Sequence, residues 1–297
     1  MITNYIAVGV DGSAAARSAL LWAVDECRIR QQMLLIVHAP DPQDAALMGT
    51  GEPRLNSVGE AGEYVLHDHA SAASARQPSV AVTSRLSHLA PAEALTELSE
   101  QADLVVVGSR GRGSSVVSSV LGSVSDRVAA HAHCPVVIVP EAGPRPGLAR
   151  VVVGVSSARA GRFALEFGFE EARLRGATVV AVSARGDQQA EPGPDESLEV
   201  RALHGLLDEL ELVAAAYPEV ITEPVLSDSD PASALLGAAK DADLVVVGCH
   251  HSRDRWSTRL GPVPAAIAHQ APCPVVVVGH RRHAHAASSD LFVTDFA

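Results

Sequence analysis

Gly108, Gly111 and Gly113, with Arg110 and Arg112 between and beside them, form a glycine-rich turn that is followed by Gly122-Ser123-Val124-Ser125. Glycines can take positive φ and let a ligand approach the backbone. The arginines add positive charge. The later Gly-Ser places unpartnered backbone N–H groups and two hydroxyls at the start of a helix that continues as Asp126 to His131. Such a combination is an anion site, and phosphate suits it best.

The other readings of these residues are structural. A glycine turn can simply join a strand to a helix, and Asp11 can simply cap one. Three clustered glycines, Asp11 and the Gly-Ser together favour a nucleotide site. It is not the dinucleotide fingerprint, since no glycine stands at position 116, and not a P-loop, since no Gly-Lys-Ser/Thr occurs and Lys240, the only lysine, precedes a strand. Cys249-His250-His251 is a poor zinc site, because adjacent residues rarely converge on one ion and no partner pair is suitably spaced. Cys134 and Cys273 precede apolar strands and read as core thiols. His280 to His285 open a polar C-terminal tail, in which Leu291 to Val293 and Phe296 are weak docking candidates.

Positioning these groups takes strands and helices in alternation. Tyr5 to Val10 reads as a strand and Ala14 to Arg30 as a helix with Leu20, Val24 and Cys27 on its apolar face. Leu34 to His38 is a second strand, and Pro40 to Asn56 a loop rich in Pro, Gly and Asp. Then follow a helix at 59–75, a strand at 80–86 and a helix at 91–101 with proline at its start. Leu104 to Val107 is a short apolar run suited to a central parallel strand, and Val136 to Val139 is the last strand of the set. Five strands with amphipathic helices between them argue for an α/β fold, a doubly wound parallel sheet. In such a sheet ligands lie beyond the carboxyl ends of the strands where the order reverses, so Asp11 and Gly108 should face one crevice.

The pattern occurs twice. Ile6-Ala-Val-Gly-Val-Asp11 returns as Val151-Val-Val-Gly-Val-Ser156, Pro91 to Leu95 as Pro231 to Leu235, Asp103 to Gly108 unchanged as Asp243 to Gly248, and Cys134 to Val139 as Cys273 to Val278. The order is kept, so one domain is written twice. The expected division is residues 1–141, a turn-rich linker at 142–148, residues 149–280 and a tail at 281–297.

The net charge of −12 argues against nucleic acid or an anionic membrane as the main partner, since both need a basic face. Aromatic residues make up 3% of the chain, so the core must be Val, Leu, Ile and Ala. No apolar run approaches the ~20 residues of a membrane span, no secretory pattern opens the chain, and four sparse cysteines suit reduced thiols. A cytoplasmic location is expected.

The Val8-Gly-Val-Asp-Gly-Ser13 opening, the Val37-His38-Ala39 strand end, Gly108-x-x-Gly111 leading to Gly122-Ser123, and the His133 to Val139 ending resemble the two-domain form of the universal stress protein family over nearly the whole chain. In ATP-binding members the aspartate after the first strand helps hold the adenosine part, the end of the second strand contacts adenine, and the glycine loop and later Gly-Ser wrap ribose and phosphates. The resemblance therefore implies a nucleotide site at Gly9, Asp11, Val37, His38, Ala39, Gly108, Ser109, Arg110, Gly111, Arg112, Gly113, Ser114, Gly122, Ser123, Val124 and Ser125, with ATP as cofactor, with or without Mg2+. It implies two Rossmann-like domains of the adenine-nucleotide-binding type, paired as a pseudo-dimer through Val136–Val139 and Val275–Val278, and a homodimer of the tandem unit. The run Arg112 to Leu121 is one residue longer than the family's usual nine, an insertion that 114–119 would take up as a bulge.

The second half departs further. Ser156 stands for Asp11, His251 for the second loop glycine, and Gly261-Pro262 for the Gly-Ser. Weak or absent nucleotide binding is expected there, unless Arg253, Arg255 and Arg259 hold phosphate by their side chains.

The function expected is an ATP-binding regulatory protein of the stress-response type, with an unidentified protein partner. A nucleotide-free scaffold is the first alternative and a slow ATPase the second. No base beside a nucleophile and no catalytic lysine are evident, so no efficient enzyme is expected.

Overall fold

A computed structural model describes residues 5–40, 58–111, 121–143, 147–156, 159–184, 198–249 and 260–279. Ten strands form one sheet in the order β3-β2-β1-β4-β5-β10-β9-β6-β7-β8. In the first half these are β1 (Tyr5–Gly9), β2 (Met33–His38), β3 (Val82–Leu86), β4 (Leu104–Gly108) and β5 (Val136–Val139). In the second they are β6 (Arg150–Gly154), β7 (Thr178–Ala184), β8 (Thr222–Ser227), β9 (Leu244–Cys249) and β10 (Val275–Gly279). Every neighbouring pair within a half is parallel.

Each half is the doubly wound sheet expected, and the halves join as expected through their last strands. β5 and β10 pair antiparallel, with Ile138 opposite Val275, Val137 opposite Val276 and Val136 opposite Val277. All six are buried, so the join continues the core while turning two would-be edges into interior strands. The remaining edges are β3 and β8. Pro224 in β8 lacks an N–H and so blunts that edge.

Helices cover both faces. The first half has α1 (Ala14–Arg30), α2 (Val58–Arg76), α3 (Pro91–Leu98) and α4 (Ser123–His131). The second has α5 (Arg159–Arg175), α6 (Leu198–Ala214), α7 (Pro231–Ala239) and α8 (Pro262–Gln270). Alternation along the strands feeds two cores. Ile6, Val8, Val137 and Val139 pack with Leu20 and Val24 of α1 and Leu165 of α5. Ala7, Val136 and Ile138 pack on the other face with Leu95 of α3, Val128 of α4 and Ile267 of α8.

Element boundaries follow from local hydrogen bonds. α3 stops at Leu98 rather than 101, because the N–H groups of Glu100 and Gln101 turn to carbonyls three residues back, at Glu97 and Leu98. α4 begins at Ser123, as the Gly-Ser opening implies, because Gly122 is its extended N-cap and the Asp126 N–H already donates to the Gly122 carbonyl at 3.0 Å. Of the expected loop at 40–56, all but Pro40 lies outside the described residues, as does the tail beyond Gly279. No described helix is long and apolar enough to cross a membrane.

Candidate functional site

The site is built where β1 and β4 end side by side. Ile6 to Val8 pair in register with Leu104 to Val106, so both chains leave the sheet at the same edge. After β1, Val10 stays buried, Asp11 is half-buried and Gly12 takes φ 79°, a left-handed turn that glycine adopts without strain. Ser13 then caps α1, its hydroxyl accepting the Ala16 N–H at 3.1 Å. The Ser13 N–H donates to Asp11 Oδ1 at 2.9 Å and its hydroxyl donates to the Arg110 carbonyl at 3.5 Å. The β1 turn and the glycine loop are thus tied together directly.

Gly108 and Gly111 each have a steric reason, and neither uses the positive φ open to glycine. A Cβ on Gly108 would lie 2.7 Å from the backbone carbon of Ala15, so the glycine lets α1 seat against β4. A Cβ on Gly111 would lie 2.8 Å from Asp11 Oδ2. Asp11 and Gly111, separated by most of the first half, therefore line one crevice. Gly9 serves packing of α3, since a Cβ there would meet Leu95 Cδ1 at 2.8 Å.

Gly122 closes the ring by donating its N–H to the Ser109 carbonyl at 3.0 Å, while Ser109 donates its own N–H to Val139 at 2.9 Å. The N–H groups of Ser123, Val124 and Ser125 are the first of α4 and have no partner inside the helix. They form the donor end of the crevice, with the positive end of the helix dipole behind them. The two hydroxyls differ. Ser123 is exposed, whereas Ser125 is buried and donates to the Gly122 carbonyl at 2.9 Å, so it shapes the cap. Arg112, Gly113 and Ser114 lie outside the described residues.

The end of β2 is a wall. Val37 accepts the Val10 N–H at 2.9 Å and His38 accepts the Ser87 N–H at 2.8 Å. The His38 ring is buried, with Nδ1 2.7 Å from the Val10 carbonyl. Ala39 is half-buried just beyond. Gly62 lets α2 lie on this wall, because a Cβ would meet Leu86 at 2.6 Å and the His38 ring at 3.1 Å. Sequence reasoning passed over Ser13, Gly12 and Gly62. The Asp-Gly-Ser run signalled the first two as turn and cap, whereas nothing in the pattern marks a helical glycine such as Gly62.

The second half has the same frame with different fittings. Gly154 sits under Leu235 as Gly9 sits under Leu95. Ser156 replaces the carboxylate and is crowded by α5, since a Cβ on Gly161 would overlap its backbone oxygen. At α8, Pro262 and Pro264 remove two of the three N–H groups that the first turn of α4 presents. Cys249 is buried at the end of β9, where burial pushes its thiol up and the Gly261 N–H pulls against it. His251 and the arginines at 253, 255 and 259 lie outside the described residues. No cluster of three potential metal ligands occurs among the described residues. All four cysteines are free and buried, and burial pushes Cys27 and Cys134 up to about 12.

Comparison with known proteins agrees with this fold. The model of the universal stress protein family matches residues 4–140 and again 148–279. Universal stress protein MT2052 of Mycobacterium tuberculosis is 32% identical over 299 residues, covering 92% of this chain and 94% of that protein. Universal stress protein Mb2028c of Mycobacterium bovis is 31% identical over 292 residues, covering 92% and 96%. The crystal structure of a universal stress protein from Archaeoglobus fulgidus shares the fold at a TM-score of 0.69 and 18% identity, over 94% of this chain and 99% of that one.

Proposed function

The chain belongs to the universal stress protein family, and from that premise we propose that its first half binds an adenine nucleotide, ATP with or without Mg2+, while its second half does not. The observation that carries this is the ring of Asp11, Gly111, Ser109 and Gly122, which sets an acceptor carboxylate opposite the open N-terminus of α4. A nucleoside phosphate needs both. Its ribose hydroxyls donate to a carboxylate, and its phosphates accept from backbone N–H groups at a helix start. The second half keeps neither the carboxylate nor the full set of donors.

On this reading the protein holds nucleotide rather than turning it over. The Ser13 and Ser125 hydroxyls donate to backbone carbonyls rather than to a general base. Its role is then regulatory, as a cytoplasmic stress-response protein that presents a nucleotide-dependent surface to a protein partner, as a homodimer of the tandem unit.

The test is release of ligand from the purified chain by heat, mass spectrometry of the supernatant, and a parallel thermal titration with ATP and Mg2+. Adenine nucleotide near one per chain, with stabilisation of ~2.7 kcal/mol at a hundredfold excess over Kd, is expected. No nucleotide and no stabilisation would leave a nucleotide-free scaffold.

A further inference from the structure

The donor end of the first-half crevice touches the second half. Asp126 is the residue after Ser125, in the first turn of α4, and its Oδ1 accepts the N–H of Leu260 at 3.4 Å. Leu260 is buried and immediately precedes Gly261, the N-cap of α8. Leu260 and Cys249, at the end of β9, belong to the same buried cluster. The contact is one-sided. The helix position in α8 that matches Asp126 holds Ala265, which has no side-chain acceptor.

We propose that Asp126 couples the first-half anion site to the second half, so that an anion bound at Ser123 to Ser125 tightens the start of α8. This rests on the nucleotide reading of that site. An anion held by the N–H groups of Ser123, Val124 and Ser125 fixes the first turn of α4, and with it the carboxylate one residue on. That carboxylate fixes Leu260, and Leu260 is continuous with the cap of α8. The junction does not absorb the change, because β5 pairs with β10 and Arg30 and Arg175 bridge α1 to α5. The second half has lost two of the three N–H donors at its own helix start, yet Leu260 is tied to the first half's site. It reads occupancy instead of adding a second site. Coupling is reciprocal, so the state of α8 also sets affinity in the first half.

The test uses the full chain with ATP and Mg2+. Binding is measured by calorimetry, and amide hydrogen exchange over residues 262–270 and alkylation of Cys249 are followed in the same samples by mass spectrometry. Saturating nucleotide is expected to slow both by about fivefold or more, the lower end of typical coupling. Asp126→Ala should abolish that protection and weaken binding by the same factor. Asp126→Asn, which keeps an acceptor oxygen, should retain most of it. Nucleotide that binds without protecting α8, or protection that persists in Asp126→Ala, would overturn the coupling alone. No binding to the wild-type chain would overturn the site and the coupling together.

Discussion

Arg30 and Glu171 form an ion pair across the junction between the halves, and Arg175 and Glu26 form its mirror. Each arginine also pairs with the glutamate one turn before it, Arg30 Nε with Glu26 at 2.5 Å and Arg175 with Glu171. Both glutamate side chains are almost wholly buried, at 1% and 0% exposure. Arg30 also lies over the Phe167 ring, 5.7 Å from its centroid. Four charges thus neutralise one another about the pseudo-twofold axis.

Removing one partner leaves a buried carboxylate short of its cation. Arg30→Ala should therefore cost about 3–5 kcal/mol, because the loss of one member of a buried pair strands the other. Urea unfolding of the two proteins measures this. A loss below ~1 kcal/mol would mean that solvent reaches the cluster and screens it.

The cluster also gives stability a pH dependence. Burial pushes the Glu171 carboxyl up, Glu26 adds to the rise, and Arg175 and Arg30 pull against it without cancelling it. A carboxyl whose folded pKa lies above its unfolded value binds a proton more tightly in the native state. Its contribution is then fully present below the ordinary 4.5 and is lost as pH rises through the folded value. Glu171→Gln removes that titration. Urea midpoints measured from pH 5 to 8 should fall more steeply with pH in the wild type than in the variant. Parallel curves would place Glu171 at its ordinary pKa.

Gly108 and Gly111 should separate stability from binding. A methyl group on Gly108 meets the backbone of Ala15 at 2.7 Å, which can yield only by moving α1 off β4. Gly108→Ala should cost ~1–3 kcal/mol as overpacking and weaken nucleotide binding with it. Among the described residues a methyl group on Gly111 meets only the end of the Asp11 side chain. Gly111→Ala should leave the melting temperature nearly unchanged, since a terminal carboxylate can turn aside, yet weaken nucleotide binding by displacing it. Thermal melts beside titration with ATP distinguish the two. Equal stability losses would show that Gly111 is a packing glycine as well.

Much of this was legible in the chain itself. The apolar face of Ala14–Arg30, the paired Val-rich strand ends and the repeated Asp103 to Gly108 motif led to the sheet and to the meeting of Asp11 with the glycine loop. The pairing of β5 with β10 came from the family resemblance, because an antiparallel contact between two apolar strands leaves no mark on either alone. Glu26 shows what the pattern conceals. It neighbours Cys27 on a helix face that periodicity assigns to the core, where a glutamate looks misplaced until Arg175 arrives from the second half. Its recurrence as Glu171 was the available signal, since a charge repeated at one buried position about a twofold axis can be neutralised by its own copy's partner. Gly108 has a packing role that the sequence pattern did not show. Close approach of α1, not its backbone angle, requires it.

The contrast between α4 and α8 makes the last prediction. Both helices start after a glycine cap, but α8 has proline at its first position where α4 has Ser123. Proline is tolerated there because the missing N–H would have no partner inside the helix. Ser123→Pro should therefore leave stability within ~0.5 kcal/mol of wild type while deleting one donor to the phosphates. A hydrogen bond to a charged group is worth ~1.5–3 kcal/mol, so affinity for ATP should fall by about tenfold or more. Titration of both proteins, with thermal melts to show that α4 still forms, measures it. An unchanged affinity would mean that the phosphates lie away from the start of α4. The nucleotide would then be held chiefly by Asp11 and the glycine loop, and the prolines of α8 would no longer account for a silent second half.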